Sequence, residues 1–239
     1  MRTSERKVAQ ARGSCFVTGT DTGVGKTLIA SALLKALSQR GARVVAMKPV
    51  ASGAIWHEGA WRNDDVEQLA AAASVCVPRE LLCPYELRQA LAPHIAAELD
   101  GVRLELPTII DAYQSLCERS DAVVVEGVGG FRVPLGADFD TADLARALQL
   151  PVVLVVGLRL GCLNHAALTA EAIGARGLAL AGWVANTIDP HMAQMERNVA
   201  SLRALLRAPC LGCVPWLTPS DCSQAAQYLD IDTLCKSKP

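Results

Sequence analysis

The sequence predicts an α/β fold in which a doubly wound, mostly parallel sheet is flanked by helices. Short β-branched runs alternate with longer Ala/Leu-rich stretches, and the runs are apolar throughout, as in strands buried on both faces. Because no repeat, low-complexity tract or linker interrupts this alternation, we expect one domain over residues 14–239. The predicted strands are residues 14–18, 43–48, 121–126, 151–156, 178–186 and 209–214.

The helices between these strands are indicated by apolar residues at helical spacing. Residues 26–40 carry one apolar stripe, formed by Leu28, Ala32, Leu33, Ala36 and Leu37. Arg-Gly pairs at 40–41 and 176–177 indicate helix ends, because glycine readily adopts the left-handed conformation that closes a helix. Ligands of such folds bind beyond the carboxyl ends of the strands, and each motif below follows a predicted strand.

Composition excludes several classes of partner. The chain has 239 residues, of which 51% are hydrophobic, enough for a sizeable core. Its 23 basic and 24 acidic residues nearly cancel, which argues against a broad surface for nucleic acid or acidic membrane. The longest apolar runs, such as residues 150–158, are too short to span a bilayer. We therefore expect no nucleic-acid or membrane partner and a cytoplasmic location.

The first thirteen residues form a separate segment. Residues 1–13 are polar and lack the apolar stretch of a secretory signal. We expect a disordered N-terminal extension, and deleting residues 1–12 should then leave activity intact. An organellar transit peptide stays open as the alternative.

The nine cysteines do not predict a disulfide framework in a chain of this length without a secretory signal. Cys210 and Cys213 form a CxxC pair, a spacing that zinc and redox sites use. No second CxxC or histidine pair follows at ligand spacing, and Leu211 and Val214 are typical strand residues. We therefore expect Cys210 and Cys213 to be small buried hydrophobic residues.

The segment "CFVTGTDTGVGKT" (15–27) indicates a strand, a Gly-rich turn and a helix start, the setting of a P-loop. Thr20 stands at the first-glycine position, which is a departure from the standard pattern. Backbone N–H groups of residues 23–27 would hold phosphates, Lys26 would neutralise β/γ charge and Thr27 would bind Mg²⁺. A chance Gly-Lys-Thr in a glycine-rich turn is the competing interpretation. The predicted nucleotide-binding residues here are Gly23, Val24, Gly25, Lys26, Thr27 and Leu28.

Carboxylates follow two further predicted elements. The motif "RNDD" (62–65) lies just before a helix, where Asp64 could alternatively be an ordinary N-cap. Glu126 ends a wholly apolar strand, where an ionised carboxylate needs a partner such as a metal ion. Thr27, Asp65 and Glu126, with phosphate oxygens and water, would satisfy octahedral Mg²⁺, so we predict a nucleotide and metal site of the P-loop NTPase type.

Two more strand ends carry polar side chains. Lys48 comes where the second strand meets a loop, and from this stretch alone a solvated surface lysine is an equally good interpretation. Asn186 ends the strand in "AGWVAN", where its amide edge can both donate and accept, as adenine recognition requires.

Together these motifs resemble those of the dethiobiotin synthetases, ATP-dependent carboxylases of the biotin pathway. The resemblance departs where Gly23 replaces an acidic residue of some members, and it fades after Leu217, where "TPSDCSQ" is hard to align. "LAPHIAAE" (91–98) is similar to the family's Pro-His segment near the substrate. In order from about Cys15 to Leu217, the matching motifs are "FVTGTDTGVGKT", "KPVASG", "RNDD", "VVVEGVGG", "LVVGLRLGCLNHAALT", "LAGWVAN" and "LGCVPWL".

The resemblance implies a homodimer with each site at the subunit interface. It also implies that 7,8-diaminononanoate, CO₂ and MgATP give dethiobiotin, ADP and phosphate. One amine becomes a carbamate, which accepts the γ-phosphoryl group. The second amine then attacks this mixed anhydride and closes the ring.

The resemblance further assigns roles to individual residues. Lys48 and Lys26 are catalytic, with Lys48 contacting the carbamate and the γ-phosphate, and Ser52 contacts the diamine or its carbamate. Leu163 and Asn164, at a predicted helix start, would hold the substrate carboxylate across the dimer interface. The remaining nucleotide-binding residues are Gly127, Val128 and Gly129 beside Glu126, and Pro215, Trp216 and Leu217 beside Asn186.

Two rival functions are weighed against this one. Partitioning and septum-placement ATPases carry a second lysine near the start of the P-loop, where this chain has Asp21. The C-terminal segment also lacks the basic amphipathic character that membrane binding needs. An ATP-dependent amide-forming enzyme acting on a cofactor carboxylate usually carries a glutaminase domain, for which 239 residues leave no room.

Overall fold

The computed structural model describes residues 13–217 and 221–236. Within these residues the strands are β1 (Cys15–Gly19), β2 (Val44–Met47), β3 (Val50–Ser52), β4 (Ile55–His57), β5 (Ala60–Arg62), β6 (Tyr85–Leu87), β7 (Ala122–Glu126), β8 (Val152–Leu158), β9 (Leu180–Thr187) and β10 (Cys210–Val214). The helices are α1 (Lys26–Gln39), α2 (Asp64–Ala72), α3 (Arg79–Leu82), α4 (Pro93–Asp100), α5 (Leu106–Cys117), α6 (Thr141–Leu148), α7 (Cys162–Ala175), α8 (Met195–Leu205), α9 (Cys222–Ala226) and α10 (Asp232–Lys236).

The six strands predicted from the sequence form the central sheet, in the order β10-β9-β8-β1-β7-β2. All five neighbouring pairs are parallel, so the predicted mostly parallel, doubly wound sheet is confirmed. The strands therefore end at one common edge. The P-loop after β1, Lys48 after β2, Glu126 at the end of β7 and Asn186 near the end of β9 meet at that edge.

Helices cover both faces of the sheet because alternate residues of each strand point to opposite sides. In β8, Val153 and Val155 pack into a core shared with α1 and α2. Their neighbours Leu154 and Val156 face the opposite way, toward a core built with α7 and α8. Every residue of β8 is buried, as expected for an interior strand of a parallel sheet. No helix in the described part of the chain is long and apolar enough to cross a membrane.

Four short strands between β2 and α4 were not predicted. β3 pairs with β6 in parallel, and β4 pairs with β5 as an antiparallel hairpin. Trp56 and Trp61 stack edge-to-face across the hairpin, with their ring centroids 5.5 Å apart. Three-residue strands are too short to show an alternating pattern in a sequence. β3, β4 and β5 carry the chain from Lys48 past Ser52 to the start of α2, and β6 follows α3.

Both predicted glycine-marked helix ends are confirmed. Gly41 and Gly177 directly follow the C-caps of α1 and α7, with φ angles of 85° and 71°. The predicted extension, apart from Gly13, lies outside the described residues. Gly13 itself is buried, and a Cβ there would lie 2.9 Å from Leu37 Cδ2.

The expectation that Cys210 and Cys213 are buried hydrophobic residues was wrong. Cys213 is exposed and Cys210 is half-buried, although Leu211 and Val214 are buried strand residues as predicted. β10 is the last strand of the sheet order, so its side chains have a neighbouring strand of that sheet on one side alone. The position of a strand within a sheet, which decides this exposure, is not encoded in its local pattern.

Candidate nucleotide and carboxylation site

The P-loop is shaped by two glycines in the left-handed region. Gly23 has a φ of 74°, and Gly25, the N-cap of α1, has a φ of 87°. A Cβ on Gly25 would lie 2.2 Å from Asn186 Nδ2, whereas a Cβ on Gly23 would meet no described atom within 4 Å. Gly25 is therefore required by both conformation and space, and Gly23 by conformation alone.

The loop opens into a cleft of about 920 Å³ beyond the carboxyl ends of the strands. Fourteen of the predicted site residues line it, namely Gly23, Gly25, Lys26, Thr27, Leu28, Lys48, Ser52, Asp65, Glu126, Val128, Gly129, Asn186, Trp216 and Leu217. The other predicted residues lie outside this lining, and they are Val24, Gly127, Pro215, Leu163 and Asn164.

Four side chains converge at the centre of the cleft. The Thr27 hydroxyl donates toward Asp65 Oδ1 at 2.8 Å and toward Glu126 Oε1 at 3.0 Å. Lys48 Nζ lies 2.9 Å from Asp65 Oδ2 and 2.5 Å from Glu126 Oε1. One hydroxyl, one ammonium and two carboxylates thus form a continuous network. The four residues lie together, as the sequence predicted for Thr27, Asp65 and Glu126, while their roles in binding stay predictions.

Burial decides the character of this network. Lys48 is 2% exposed and Glu126 is 1% exposed, so the interpretation of Lys48 as a solvated surface lysine is wrong. Lys48 directly follows β2 and Glu126 ends β7, and these two strands are neighbours in the sheet, which brings the two side chains together. A lysine and a glutamate buried this deeply must compensate each other's charge, because each alone would be costly to bury.

Asp65 reaches the network because the start of α2 is held in place by Asn63. Asn63 Oδ1 accepts from the backbone N–H groups of Asp65 and Val66, and its Nδ2 donates to the carbonyl of Ser52. Asn63 is therefore the N-cap, and the alternative that Asp64 caps this helix was wrong. The "RNDD" carboxylates lie in the first turn of α2 and not in the loop before it. That position favours negative charge.

The pKa values of the two lysines move in opposite directions. Burial lowers the pKa of Lys26 to about 8, although Glu126 partly opposes this. Burial also disfavours the charged form of Lys48, but the carboxylates of Glu126 and Asp65 outweigh it and raise the pKa of Lys48. Lys48 therefore stays charged at neutral pH, whereas the pKa of Lys26 lies close to neutral pH.

The pKa values of the two carboxylates, Glu126 and Asp65, also move in opposite directions. Burial raises the pKa of Glu126 despite the nearby Lys48 ammonium. Asp65 is less deeply buried, and Lys48 lowers its pKa in spite of desolvation. Asp65 consequently stays ionised under all conditions near neutrality, and Glu126 depends on its cationic neighbours to remain so.

The donor set at this centre fits Mg²⁺. Glu126 Oε2 is buried and has no hydrogen-bond partner among the described residues, although its carboxylate is an obvious ligand for a cation. Residues 13–217 and 221–236 contain no group of three or more His, Cys, Asp or Glu side chains that could hold a metal ion. Mg²⁺ suits a sparser set, because it usually keeps several waters and binds one or two carboxylates plus substrate phosphates.

Asn186 lines the cleft and is hydrogen-bonded to the P-loop. Its Nδ2 donates to the carbonyl of Val24 at 2.9 Å, and because a carbonyl can only accept, Oδ1 must face the other way. Asn186 Oδ1 is buried without a hydrogen-bond partner in the described chain. Asn186 lines the cleft, and so do Trp216 and Leu217, which provide an apolar wall.

The remaining predicted residues are those to which the resemblance assigns substrate contacts. Ser52 lines the cleft, and its buried hydroxyl has no partner within the described ranges. Leu163 and Asn164 lie in the first turn of α7, whose start was predicted from "GCLNHA". They do not reach the cleft of their own chain.

Several cleft residues were missed by the sequence analysis. Thr187 and Ile188 directly follow Asn186, and Gln68 is one helical turn beyond Asp65. Ala90 was also missed, whereas residues 91–93, which line the cleft as well, belong to the segment that the resemblance placed near the substrate. These residues are mostly uncharged, and no pattern distinguishes such residues from ordinary loop residues.

An ion pair braces the outer side of the P-loop. Asp21 lies 2.5 Å from Arg159, which follows β8 and precedes α7. The backbone N–H of Thr22 also donates to Asp21, and this hydrogen bond, with Arg159, lowers the pKa of Asp21. Asp21, which stands where some ATPases have a lysine, is thus held by a cation of its own chain.

Comparison with known proteins gives the family. A family model described as "AAA domain" matches residues 14–224. The chain is 58% identical over 225 residues to "ATP-dependent dethiobiotin synthetase BioD" of Janthinobacterium sp. (strain Marseille), covering 92% of this chain and 95% of that protein. It is 56% identical over 223 residues to the protein of the same name from Ralstonia nicotianae (strain ATCC BAA-1114 / GMI1000), covering 93% and 97%.

Solved structures that resemble this one are more distant in sequence. The MinC:MinD cell division protein complex of Aquifex aeolicus superimposes with a TM-score of 0.55 at 15% identity, covering 97% of this chain and 98% of that one. The cell division ATPase MinD of Pyrococcus furiosus gives a TM-score of 0.51 at 20% identity, with coverages of 85% and 83%. At these identities the likeness concerns the fold, which is that of the P-loop NTPases.

Proposed function

Because the chain belongs to the AAA-domain family and to the ATP-dependent dethiobiotin synthetases, we propose that the cleft described above is its carboxylation site. The enzyme makes dethiobiotin at the expense of ATP. The substrates of the proposed reaction are 7,8-diaminononanoate, CO₂ and ATP, and the products are dethiobiotin, ADP and phosphate. The observation that carries this assignment is the buried Lys48 between Asp65 and Glu126, directly beside the P-loop threonine.

Carbamate formation requires a neutral amine at the site. For an alkylamine of pKa about 10, losing the proton at pH 7 costs roughly 4 kcal/mol, at about 1.36 kcal/mol per pH unit. The ammonium groups of Lys26 and Lys48 disfavour a second ammonium nearby and favour the carbamate anion. Lys48 is suited to this role because its raised pKa keeps it charged while the substrate amine is deprotonated.

Phosphoryl transfer to the carbamate oxygen depends on positioned charge. Backbone N–H groups of the P-loop and the α1 N-terminus would hold the phosphates, and Lys26 would neutralise the transferring group. Thr27, Asp65 and Glu126 would hold Mg²⁺, which when bound supplies charge neutralisation to the phosphate oxygens. Lys48 Nζ, which lies beside Asp65 and Glu126, would contact the carbamate and the γ-phosphate.

Ring closure needs the second amine close to the mixed anhydride. Ser52 would orient the diamine or its carbamate through its hydroxyl, which has no partner in the described chain. Leu163 and Asn164 lie outside their own chain's cleft, which agrees with a homodimer in which α7 of one subunit holds the substrate carboxylate of the other. At the other end, Asn186 Oδ1 could accept from the adenine amino group.

The decisive experiment measures ADP release with MgATP and labelled bicarbonate, with and without 7,8-diaminononanoate. We expect release to require the diamine and label to enter a stable product. Lys48→Ala should abolish both signals. Lys35→Ala is the matched control, because Lys35 is a half-buried lysine of α1 that donates to the carbonyl of Ala71 and does not line the cleft.

Equal ATP turnover without the diamine, and no carbon fixed, would contradict the proposal. That result would favour a nucleotide-switch ATPase, for which the present support is fold similarity alone. The Asp21–Arg159 pair also argues against a switch of the partitioning type, because it occupies the position of the lysine those ATPases use.

A further inference from the structure

A pair of thiols lies on the edge strand of the sheet, outside the cleft. Cys210 and Cys213 belong to β10, and their sulfur atoms are 4.0 Å apart. Residues three apart in a regular strand point to opposite faces, so this proximity needs an explanation.

The explanation is a bulge in β10. Cys210 pairs with Trp183, Gly212 with Val184 and Cys213 with Ala185, so that three steps along β10 match only two steps along β9. Two steps bring both cysteine side chains to the same face. Two steps of an ideal strand, at about 3.3 Å per step, span about 6.6 Å, a Cα separation that disulfides can bridge.

Gly212 holds this bulge in place. A Cβ at Gly212 would lie 2.2 Å from the Tyr228 carbonyl oxygen, so only glycine fits there. The following segment is fastened to the bulge, because the N–H of Asp230 donates to the carbonyl of Leu211 at 2.7 Å. These backbone contacts fix the bulge, which places both cysteine side chains on one face of the strand.

The two thiols have different chemical characters. Cys213 is exposed, and the Arg203 guanidinium lies 3.7 Å from its sulfur. A hydrogen bond from Cys210, assisted by Arg203, lowers the pKa of Cys213 to about 6. The same hydrogen bond, with burial, raises the pKa of Cys210. Buried Cys15 contrasts with Cys213, because desolvation raises its pKa to about 12.

We propose that Cys210 and Cys213 are a thiol-modification site, oxidised to an intramolecular disulfide by exchange with a small-molecule disulfide. The Cys213 thiolate attacks one sulfur of that disulfide, forms a mixed disulfide and releases one thiolate. Cys210 then loses its proton to solvent and attacks Cys213 Sγ, releasing the second thiolate. Two protein thiols are oxidised and one small disulfide is reduced to two thiols, so atoms and electrons balance.

Each feature of the pair serves this reaction. The exposed, low-pKa Cys213 provides the attacking thiolate. Cys210, with its sulfur 4.0 Å away, resolves the mixed disulfide after a movement of about 2 Å to the S–S bond length of about 2.05 Å. The site is independent of the proposed carboxylation activity, since neither cysteine lines the cleft.

The test treats the reduced, full-length enzyme with glutathione redox buffers and locates the products by peptide mass spectrometry. We expect the loss of two thiols in oxidising buffer, linked as Cys210–Cys213, and their full return on reduction. Cys210→Ser should instead accumulate glutathione on Cys213, and Cys213→Ser should lose the rapid reaction. Cys76→Ser, which removes another exposed thiol, is the matched control and should behave like the wild type.

Arg203→Gln keeps both thiols and should slow the first step without preventing the linkage. The proposal is overturned if both cysteines remain thiols in a buffer that glutathionylates Cys76. It is equally overturned if the dithiol binds Cd²⁺ but forms no Cys210–Cys213 linkage, because the pair would then be a soft-metal site. Either outcome leaves the carboxylation assay unaffected.

Discussion

The proposed phosphate end and the proposed base end of the cleft are built on different principles. At the phosphate end, Lys48, Asp65, Glu126 and Thr27 contact each other within 3.0 Å, and Lys48 and Glu126 are almost fully buried. At the base end, Asn186 contributes one amide and Trp216 is 57% exposed. Buried charge makes the phosphate end intolerant of change, whereas the base end depends on one hydrogen-bonding edge and an apolar wall. Substitutions at the two ends should therefore differ in size and in kind.

The largest effect is expected from Glu126→Gln at the phosphate end. Glutamine keeps the shape but removes the negative charge that balances Lys48 and that would bind the cation. We expect kcat to fall by about 10²–10³, the usual loss when one preorganised electrostatic contact is removed from an active site. Steady-state ADP release measures it, with the exposed Glu171→Gln as control. If kcat of Glu126→Gln stays within threefold of the wild-type value, the proposed difference in sensitivity between the two ends of the cleft is wrong.

The next largest effect is expected from Gly25→Ala, compared with Gly23→Ala. This pair tests whether Asn186 constrains the P-loop. Gly25→Ala combines a left-handed φ with a Cβ 2.2 Å from Asn186, so we expect a loss on the order of 1–3 kcal/mol in unfolding free energy and weaker ATP binding. Gly23→Ala has open space and should cost only about 1 kcal/mol. Urea unfolding and ATP titration measure both. Equal effects would show that Asn186 does not constrain the loop.

The pH dependence of ATP binding tests whether the charge of Lys26 contributes to holding the phosphates. Because burial lowers its pKa to about 8, the free enzyme loses this cation as the pH rises through that value. Bound phosphate favours the charged form, so ATP binding should take up a proton, and the affinity should fall about tenfold between pH 7 and pH 9. Calorimetric titration at both values measures this. Lys26→Met should bind ATP more weakly but without the step near pH 8.

The contribution of Lys26 to stability should change with pH in the opposite direction, over a higher pH range. The folded-state pKa of Lys26 lies below its ordinary value of 10.5, so the unfolded chain binds more protons between about pH 8 and 10.5. The contribution of Lys26 to the unfolding free energy therefore rises with pH across that window. Comparing Lys26→Met with wild type by urea unfolding isolates this contribution, since other groups are common to both proteins.

The smallest effect is expected from Asn186→Ala at the base end. It removes the bond to the Val24 carbonyl and the acceptor in the cleft, together worth about 1 kcal/mol. We expect KM for ATP to rise about fivefold with kcat nearly unchanged, and discrimination against GTP to weaken. Asn198→Ala is the control, because Asn198 is a half-buried asparagine of α8 that does not line the cleft. A fall in kcat as large as that of Glu126→Gln would contradict the comparison.

Much of the phosphate end was predictable from sequence because each of its residues ends a buried strand or begins a helix. Lys48 and Glu126 stand out as charges after apolar runs, and Lys26 and Thr27 complete a known spacing. Their mutual contacts were not predictable, since they depend on β2 and β7 being neighbours. The choice of Asn63 over Asp64 as helix cap was equally hidden, because both side chains are good caps.

The edge of the sheet was the least predictable region. Cys213 was expected to be buried, and its exposure follows from the position of β10 in the strand order. The bulge that brings Cys210 toward it depends on Gly212 and the Tyr228 carbonyl, sixteen residues later in the chain. Contacts of this kind leave no periodic trace in the sequence.

The hydrogen bond between Asn186 and the Val24 carbonyl has a consequence for local opening. A glycine-rich loop is ordinarily among the first segments to open, and its amides exchange with solvent at low free-energy cost. Here the loop is attached at its middle to β9, which pairs with both β8 and β10. Opening the loop therefore also requires the release of a side chain from an interior strand. The amide hydrogens that would hold phosphate are kept in place before any nucleotide arrives.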